Sequence, residues 1–152
     1  MKIEIPNVGI KEIKYIVLDY NGTIAKDGKV KDSVKEILKE LKDFEIFVIT
    51  ADTHGSAKEN LKECEVKLQI LKTSNHTKEK EEFVKSLKNV FAVGNGSNDS
   101  LMLKVAEVGV CVIEDEGTSV KSLLNADVVC RSIEEALGLV LKPKRLIATL
   151  RE

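Results

Sequence analysis

The sequence contains no apolar run approaching the ~20 residues needed to span a bilayer, and its amino terminus has no signal-peptide pattern. We therefore expect a chain that works in the cytoplasm without a membrane partner. Net charge is also scarce: a formal value of -1 and a pI of about 6.2 argue against a general binder of nucleic acid or of anionic membranes. Cysteine is sparse and odd in number. Cys64, Cys111 and Cys130 are widely spaced, each within an apolar or helical pattern, so they suggest neither a disulfide framework nor a zinc site and read as buried, reduced thiols. The two histidines, His54 and His76, share no spacing and read as solvent-facing loop residues. Repeats, low-complexity segments and linkers are missing as well.

What is present fits one domain over residues 1–152, with 43% hydrophobic and 32% charged residues, enough for a sizeable core. The chain is organised around Tyr15-Ile16-Val17-Leu18-Asp19-Tyr20-Asn21-Gly22-Thr23, an apolar run that ends in a carboxylate and then turns on a glycine. Residues 1–14 read as an edge hairpin, and Asp27-Gly28 as the turn of a second, shorter one. Asp32 or Ser33 is expected to cap a helix carrying Val34, Ile37, Leu38 and Leu41, and Thr77 to cap another with Phe83, Val84 and Leu87 as its buried stripe. Between and after these lie strands at 46–50, 66–71, 90–93, 109–113 and 127–130, with helices at 56–64, about 100–106, 119–125 and 132–141. Pro143 is expected to end the last helix, leaving a tail for amphipathic packing or a subunit contact. Strict alternation of strand and helix predicts a mostly parallel sheet in a three-layer α/β/α sandwich.

The chemistry lies in what the strand ends present. Asp19 supplies a carboxylate that can act as a nucleophile towards phosphorus, with Mg²⁺ on its second oxygen and the Asn21 carbonyl close enough to bind the same ion. Thr50, at the end of the next core strand, and the amides after it, beginning at Ala51, can donate to a phosphate, while Lys80 can neutralise it. Asp99 can complete an oxygen-rich metal shell. Asp52 can either orient the phosphate loop or cap the following helix, and Asn98 reads as a helix cap.

In this order the four stretches resemble the haloacid dehalogenase-like (HAD) superfamily. Asp19-Tyr20-Asn21-Gly22-Thr23 is similar to the Asp-Lys-Thr-Gly-Thr phosphorylation motif of P-type ATPases, and Thr50-Ala51-Asp52 to their Thr-Gly-Asp. Lys80 matches their Asp-Lys segment, and Gly94-Asn95-Gly96-Ser97-Asn98-Asp99 their Gly-Asp-Gly-x-Asn-Asp hinge motif. The chain is thereby similar to the family called soluble P-type ATPases, and the resemblance covers nearly its whole length. It implies a HAD-like Rossmannoid fold without a cap domain and a Mg²⁺-dependent phosphohydrolase working through an aspartyl phosphate on Asp19. Its substrate would be a phosphorylated small molecule or an exposed phosphoryl group, with a homo-oligomer able to cover the open site. The short interval between Asp19 and Thr50 leaves no room for a nucleotide-binding domain, so an ion pump is not expected.

Two departures from the family pattern stand out. Asn21 occupies the position where ordinary HAD phosphatases carry a general acid and base, and an amide cannot shuttle a proton. Asn95 replaces a metal-binding Asp, so Mg²⁺ is expected to bind weakly until a phosphate joins its shell. Two alternatives therefore accompany the main reading: a capless oligomeric phosphatase of the sugar-acid type, and a catalytically impaired regulatory module that binds phosphate or Mg²⁺.

Overall fold

Runs rich in β-branched residues favour strands, where their stiff side chains pack against neighbours on the pleated surface. The computed structural model describes all of residues 1–152. Strand β1 is Lys2–Ile5, β2 Gly9–Glu12, β3 Tyr15–Asp19, β4 Ala25–Lys26 and β5 Lys29–Val30. Helix α1 (Asp32–Glu40), β6 (Glu45–Thr50), α2 (Ser56–Leu61), β7 (Lys67–Ile70), α3 (His76–Leu87) and β8 (Val90–Gly94) follow. A 3-10 turn at Ser97–Asp99 leads into α4 (Ser100–Val105), β9 (Val108–Val112), α5 (Val120–Asn125), β10 (Val128–Cys130), α6 (Ile133–Leu141) and α7 (Pro143–Leu150).

Six strands form one parallel sheet in the order β10-β9-β8-β3-β6-β7. Every residue of β8 and β9 is buried, as expected for parallel strands covered on both faces. Alternation along β3 sends Ile16 and Leu18 into the larger core, which holds α1, α6 and α7, and Val17 into the smaller core under α3 and α4. The layers are those of the expected α/β/α sandwich. No helix is long and apolar enough to cross a membrane. The two slots where a cap domain could be inserted hold only the β4–β5 hairpin and the α2–β7 segment.

Some local expectations need correction. The amino-terminal hairpin is real, with Lys2 opposite Glu12 and Ile5 opposite Gly9, but it is a separate two-stranded sheet and not an edge of the main one. Ile3 and Ile5 bury their side chains in the core that also takes Leu146 of α7, so hydrophobic burial rather than strand pairing fixes the hairpin. Lys31 occupies the N-cap of α1 without a side-chain bond, and Ser33 donates instead to Glu134. Asn75 caps α3 by accepting from the Lys78 amide, because Thr77 already lies inside the first turn. Pro143 starts α7, where its missing N–H costs nothing, and α7 then packs inward. All three cysteines are free thiols.

Candidate active site

The sheet order reverses beside β3: the chain moves outward through β6 and β7, then returns to lay β8 on the other side of β3. Crevices of parallel sheets open at such points, at the carboxyl ends of the strands. Asp19 ends β3, Thr50 ends β6 and Gly94 ends β8, so three of the sequence stretches meet at one rim. Lys80 arrives from α3, on the face where the odd-numbered residues of β3 point. Asp19, Asn21, Thr50, Ala51, Lys80, Asn95 and Asn98 all line a cleft of about 530 Å³, together with His76, Thr77, Ser97 and Glu116.

Lys80 is the electrostatic centre of this cleft. Although it lies on a strongly charged helix it is only 2% exposed, and its ammonium donates to Asp19 Oδ1 at 2.8 Å, Asp99 Oδ1 at 2.7 Å and Asn98 Oδ1 at 3.0 Å. Burial works against its charge, but Asp19 and Asp99 more than offset this and hold its pKa above the usual lysine range. Asp19 is pushed up to about 6, first by burial and then by Asp99, against the opposing pull of Lys80 and Thr23. Its Oδ2 accepts from the Thr23 hydroxyl at 3.1 Å.

Asp99 does double duty. Its Oδ2 accepts from the amides of Asn95 and Gly96 at 3.0 and 2.9 Å, closing the turn after β8. That turn needs glycine at 94, where a Cβ would lie 2.5 Å from Asp99 Cγ. Gly22 is constrained too: it has φ +78°, and a Cβ there would lie 2.5 Å from Asn95 Nδ2.

The amide-for-acid exchange at 95 has a structural use. Asn95 sends Oδ1 towards the Thr23 hydroxyl at 3.3 Å and donates from Nδ2 to the Gly117 carbonyl at 3.0 Å, which a carboxylate could not do. The Asn95→Asp variant is therefore expected to bind a divalent cation more tightly in calorimetry. It is also expected to lose about 1–3 kcal/mol of stability, because two acceptors would then face each other at Gly117.

Asp52 caps α2, accepting from the Ala57 and Lys58 amides at 2.8 and 3.4 Å, while its own amide donates to the Thr50 hydroxyl at 3.2 Å. Asn98 is not a helix cap, as the sequence had implied: its oxygen binds Lys80, because the 3-10 turn aims it back into the cleft. His76 borders the cleft as the first residue of α3, whereas His54 is exposed outside it. Sequence reasoning also missed Thr23, although it belongs to the first motif, and Glu116, whose approach to the cleft no local pattern signals.

The donors around Asp19 are all oxygen: two carboxylates, the Asn95 amide oxygen and the backbone after Asp19. Such a set suits a hard divalent cation. The pair Asp19 and Asp99 carries one negative charge more than Lys80 balances, and that excess adds to burial, the larger cause, in raising the Asp19 pKa. No three acidic, histidine or cysteine side chains gather closely enough to cage a metal on their own. A cation held by so few carboxylates relies on water and substrate phosphate for the rest of its shell.

Comparison with solved structures finds this architecture in a HAD superfamily hydrolase of subfamily III A from Legionella pneumophila. The TM-score is 0.70 at 13% identity, over 92% of this chain and 88% of that one. The chain has the HAD fold. A 3-deoxy-D-manno-octulosonate 8-phosphate phosphatase from Moraxella catarrhalis, in complex with magnesium and phosphate ions and a KDO molecule, is similar at TM-score 0.67 and 16% identity, over 93% and 95% of the two chains.

Among curated proteins, an uncharacterized protein of Methanocaldococcus jannaschii is 49% identical over 65 residues, 43% of this chain and 70% of that protein, and the chain belongs to one family with it. A soluble P-type ATPase-like phosphatase of the same organism is 26% identical over 126 residues, 79% of this chain but 46% of the relative. No family model matches the chain.

Proposed function

We propose that this chain is a HAD-type phosphohydrolase, Mg²⁺-dependent and cytoplasmic, that removes a phosphoryl group from a small phosphorylated molecule by way of an aspartyl phosphate on Asp19. The observation that carries the reading is the buried contact of Asp19 with Lys80 at 2.8 Å, at the mouth of a polar cleft on the sheet's switch point. A lysine charged in the site neutralises phosphate oxygens, and Thr50 with the amides from Ala51 onward supplies further donors. Asp19 attacks phosphorus through one oxygen while the P–O bond to the leaving group breaks. Water then attacks the aspartyl phosphate, releasing inorganic phosphate and regenerating the carboxylate. Bound at Asp19, the Asn21 carbonyl, Asn95 and Asp99, Mg²⁺ would neutralise charge on the transferred group.

A sugar-acid phosphate is a second substrate reading, favoured by the likeness to the octulosonate phosphatase and by the short β4–β5 hairpin that follows the Asp19 motif, with a neighbouring copy of the chain to cover the cleft. A purely regulatory module has less support, because the site keeps nucleophile, lysine and phosphate donors together.

Incubation with an aryl phosphate and Mg²⁺, quenched in acid, tests the reading: a phosphoenzyme and released phosphate are expected, and the absence of both would refute it. Asn21 gives a finer test. Its side chain makes no hydrogen bond within the chain yet borders the cleft, so Asn21→Asp adds a proton-transferring group without breaking a contact. Turnover of alkyl phosphates, whose leaving groups need protonation, is expected to rise by roughly 10²-fold, and that of nitrophenyl phosphate by less. Equal rates for both substrates in variant and parent would reduce Asn21 to a turn residue.

A further inference from the structure

The chain lacks a carboxylate at position 21, but one from a distant loop lines the same cleft and stands beside the neighbouring Gly22. We infer that Glu116, between β9 and α5, is the general base of the phosphohydrolase reading, taking the proton from the water that hydrolyses the aspartyl phosphate.

Glu114, Asp115 and Glu116 are consecutive acids with different fates. Glu114 accepts from the Ile133 amide at 2.6 Å and pairs with Lys31 at 3.1 Å, while Asp115 pairs with Lys26 at 2.6 Å. Those contacts anchor the front of the loop. Its back is tied to the residue after β8: the Ser119 amide and the Thr118 hydroxyl donate to the Asn95 carbonyl at 2.7 and 3.1 Å, and Asn95 Nδ2 holds the Gly117 carbonyl.

Glu116 itself, fixed on both sides, has no ion pair or hydrogen bond and lines the cleft with Asp19 and Asn21. Its Oε2 lies 2.7 Å from the point a Cβ of Gly22 would occupy, so the carboxylate stands beside the residue that follows Asn21. The two departures from the family pattern thereby fit together. Asn21 leaves the proton-transfer position vacant, and Asn95, as an amide rather than an acid, holds the loop that brings Glu116 into the same cleft.

In the step assigned to it, the water oxygen forms a bond to phosphorus as the bond from phosphorus to the Asp19 oxygen breaks. The Asp19 carboxylate leaves with that electron pair, and one water proton passes to the Glu116 carboxylate, which later releases it to solvent. The transfer of phosphoryl to Asp19 does not use Glu116, so a substrate with a good leaving group separates the two steps.

The experiment is rapid-quench kinetics with nitrophenyl phosphate on the parent chain, Glu116→Gln, Asn21→Asp and the double variant. In Glu116→Gln the first-turnover burst is expected to persist, steady-state turnover to fall by on the order of 10²-fold, and trapped phosphoenzyme to rise. In the Asn21→Asp background the same substitution is expected to cost much less, because the new carboxylate takes over, a dependence that a loop merely holding shape would not produce. Steady-state turnover unchanged in Glu116→Gln, or burst and turnover falling together, would overturn the assignment. A parent chain with neither burst nor turnover would instead refute the phosphohydrolase reading itself.

Discussion

Asp19→Asn is expected to abolish phosphate release and phosphoenzyme formation and, in metal-free solution, to make the protein more stable. An amide cannot accept the phosphoryl group, so both signals should vanish together. Stability should move the other way because the folded protein holds the Asp19 carboxyl at about 6, above its ordinary value of 3.8. A raised carboxylate pKa means that the folded state binds the proton more tightly than the unfolded chain does. Ionised Asp19 is thus a cost that is fully present above pH 6, shrinks as pH falls through 6, and is gone below about 3.8. That difference corresponds to about 3 kcal/mol, or on the order of 6–12 °C in Tm for a chain of this size. Thermal melts of both proteins with a chelator, at pH 8 and again near pH 4, check it. The gap should be wide in the first and nearly closed in the second, and a variant less stable at pH 8 would contradict the electrostatic account. Adding Mg²⁺ should narrow the gap at pH 8 by stabilising only the parent.

Lys80→Met is expected to have the largest effect on the fold. Two buried carboxylates, Asp19 and Asp99, share this single ammonium at 2.8 and 2.7 Å. Removing one partner from a buried ion pair leaves an uncompensated charge, at a cost of about 3–5 kcal/mol. Here two charges would be left close together, against a total stability of about 5–15 kcal/mol for an ordinary domain. Denaturant titration should find the variant near the edge of unfolding at neutral pH. Combining it with Asp19→Asn should restore much of the loss, since only Asp99 would then lack its partner and two backbone amides still hold it. If Lys80→Met unfolds at the parent's denaturant midpoint, Lys80 is not the charge that keeps the site together.

These predictions combine features of unequal legibility. The sheet could be read in advance because parallel strands buried on both faces leave nearly continuous apolar runs, such as Val90–Gly94 and Val108–Val112. Capping residues were harder, because Thr77 and Asn75 offer similar side chains and only the path of the chain into α3 selects Asn75. The amino-terminal hairpin and its strand pairing also read correctly, yet it is not an edge of the main sheet, since the pattern Ile3, Ile5 records a buried face without saying what covers it.

At the site, the sequence by itself determined the chemical inventory: a carboxylate at the end of the central strand, a hydroxyl at the end of its neighbour, a lysine on a later helix and an acid after a glycine turn. It also determined the two amides at 21 and 95, and so the absence of the usual proton carrier. The motif resemblance singled out Lys80 for the site, but only tertiary structure decided that its ammonium is buried between two carboxylates, because the periodicity of a charged helix does not mark that position. Tertiary structure alone decided that Asn98 serves Lys80 and that Glu116 stands beside Gly22, some ninety residues away along the chain. The physical reason is that sequence periodicity records whether a side chain is buried, whereas the identity of its neighbour across the cleft depends on how separate loops are tied together, here by the hydrogen bonds of Asn95.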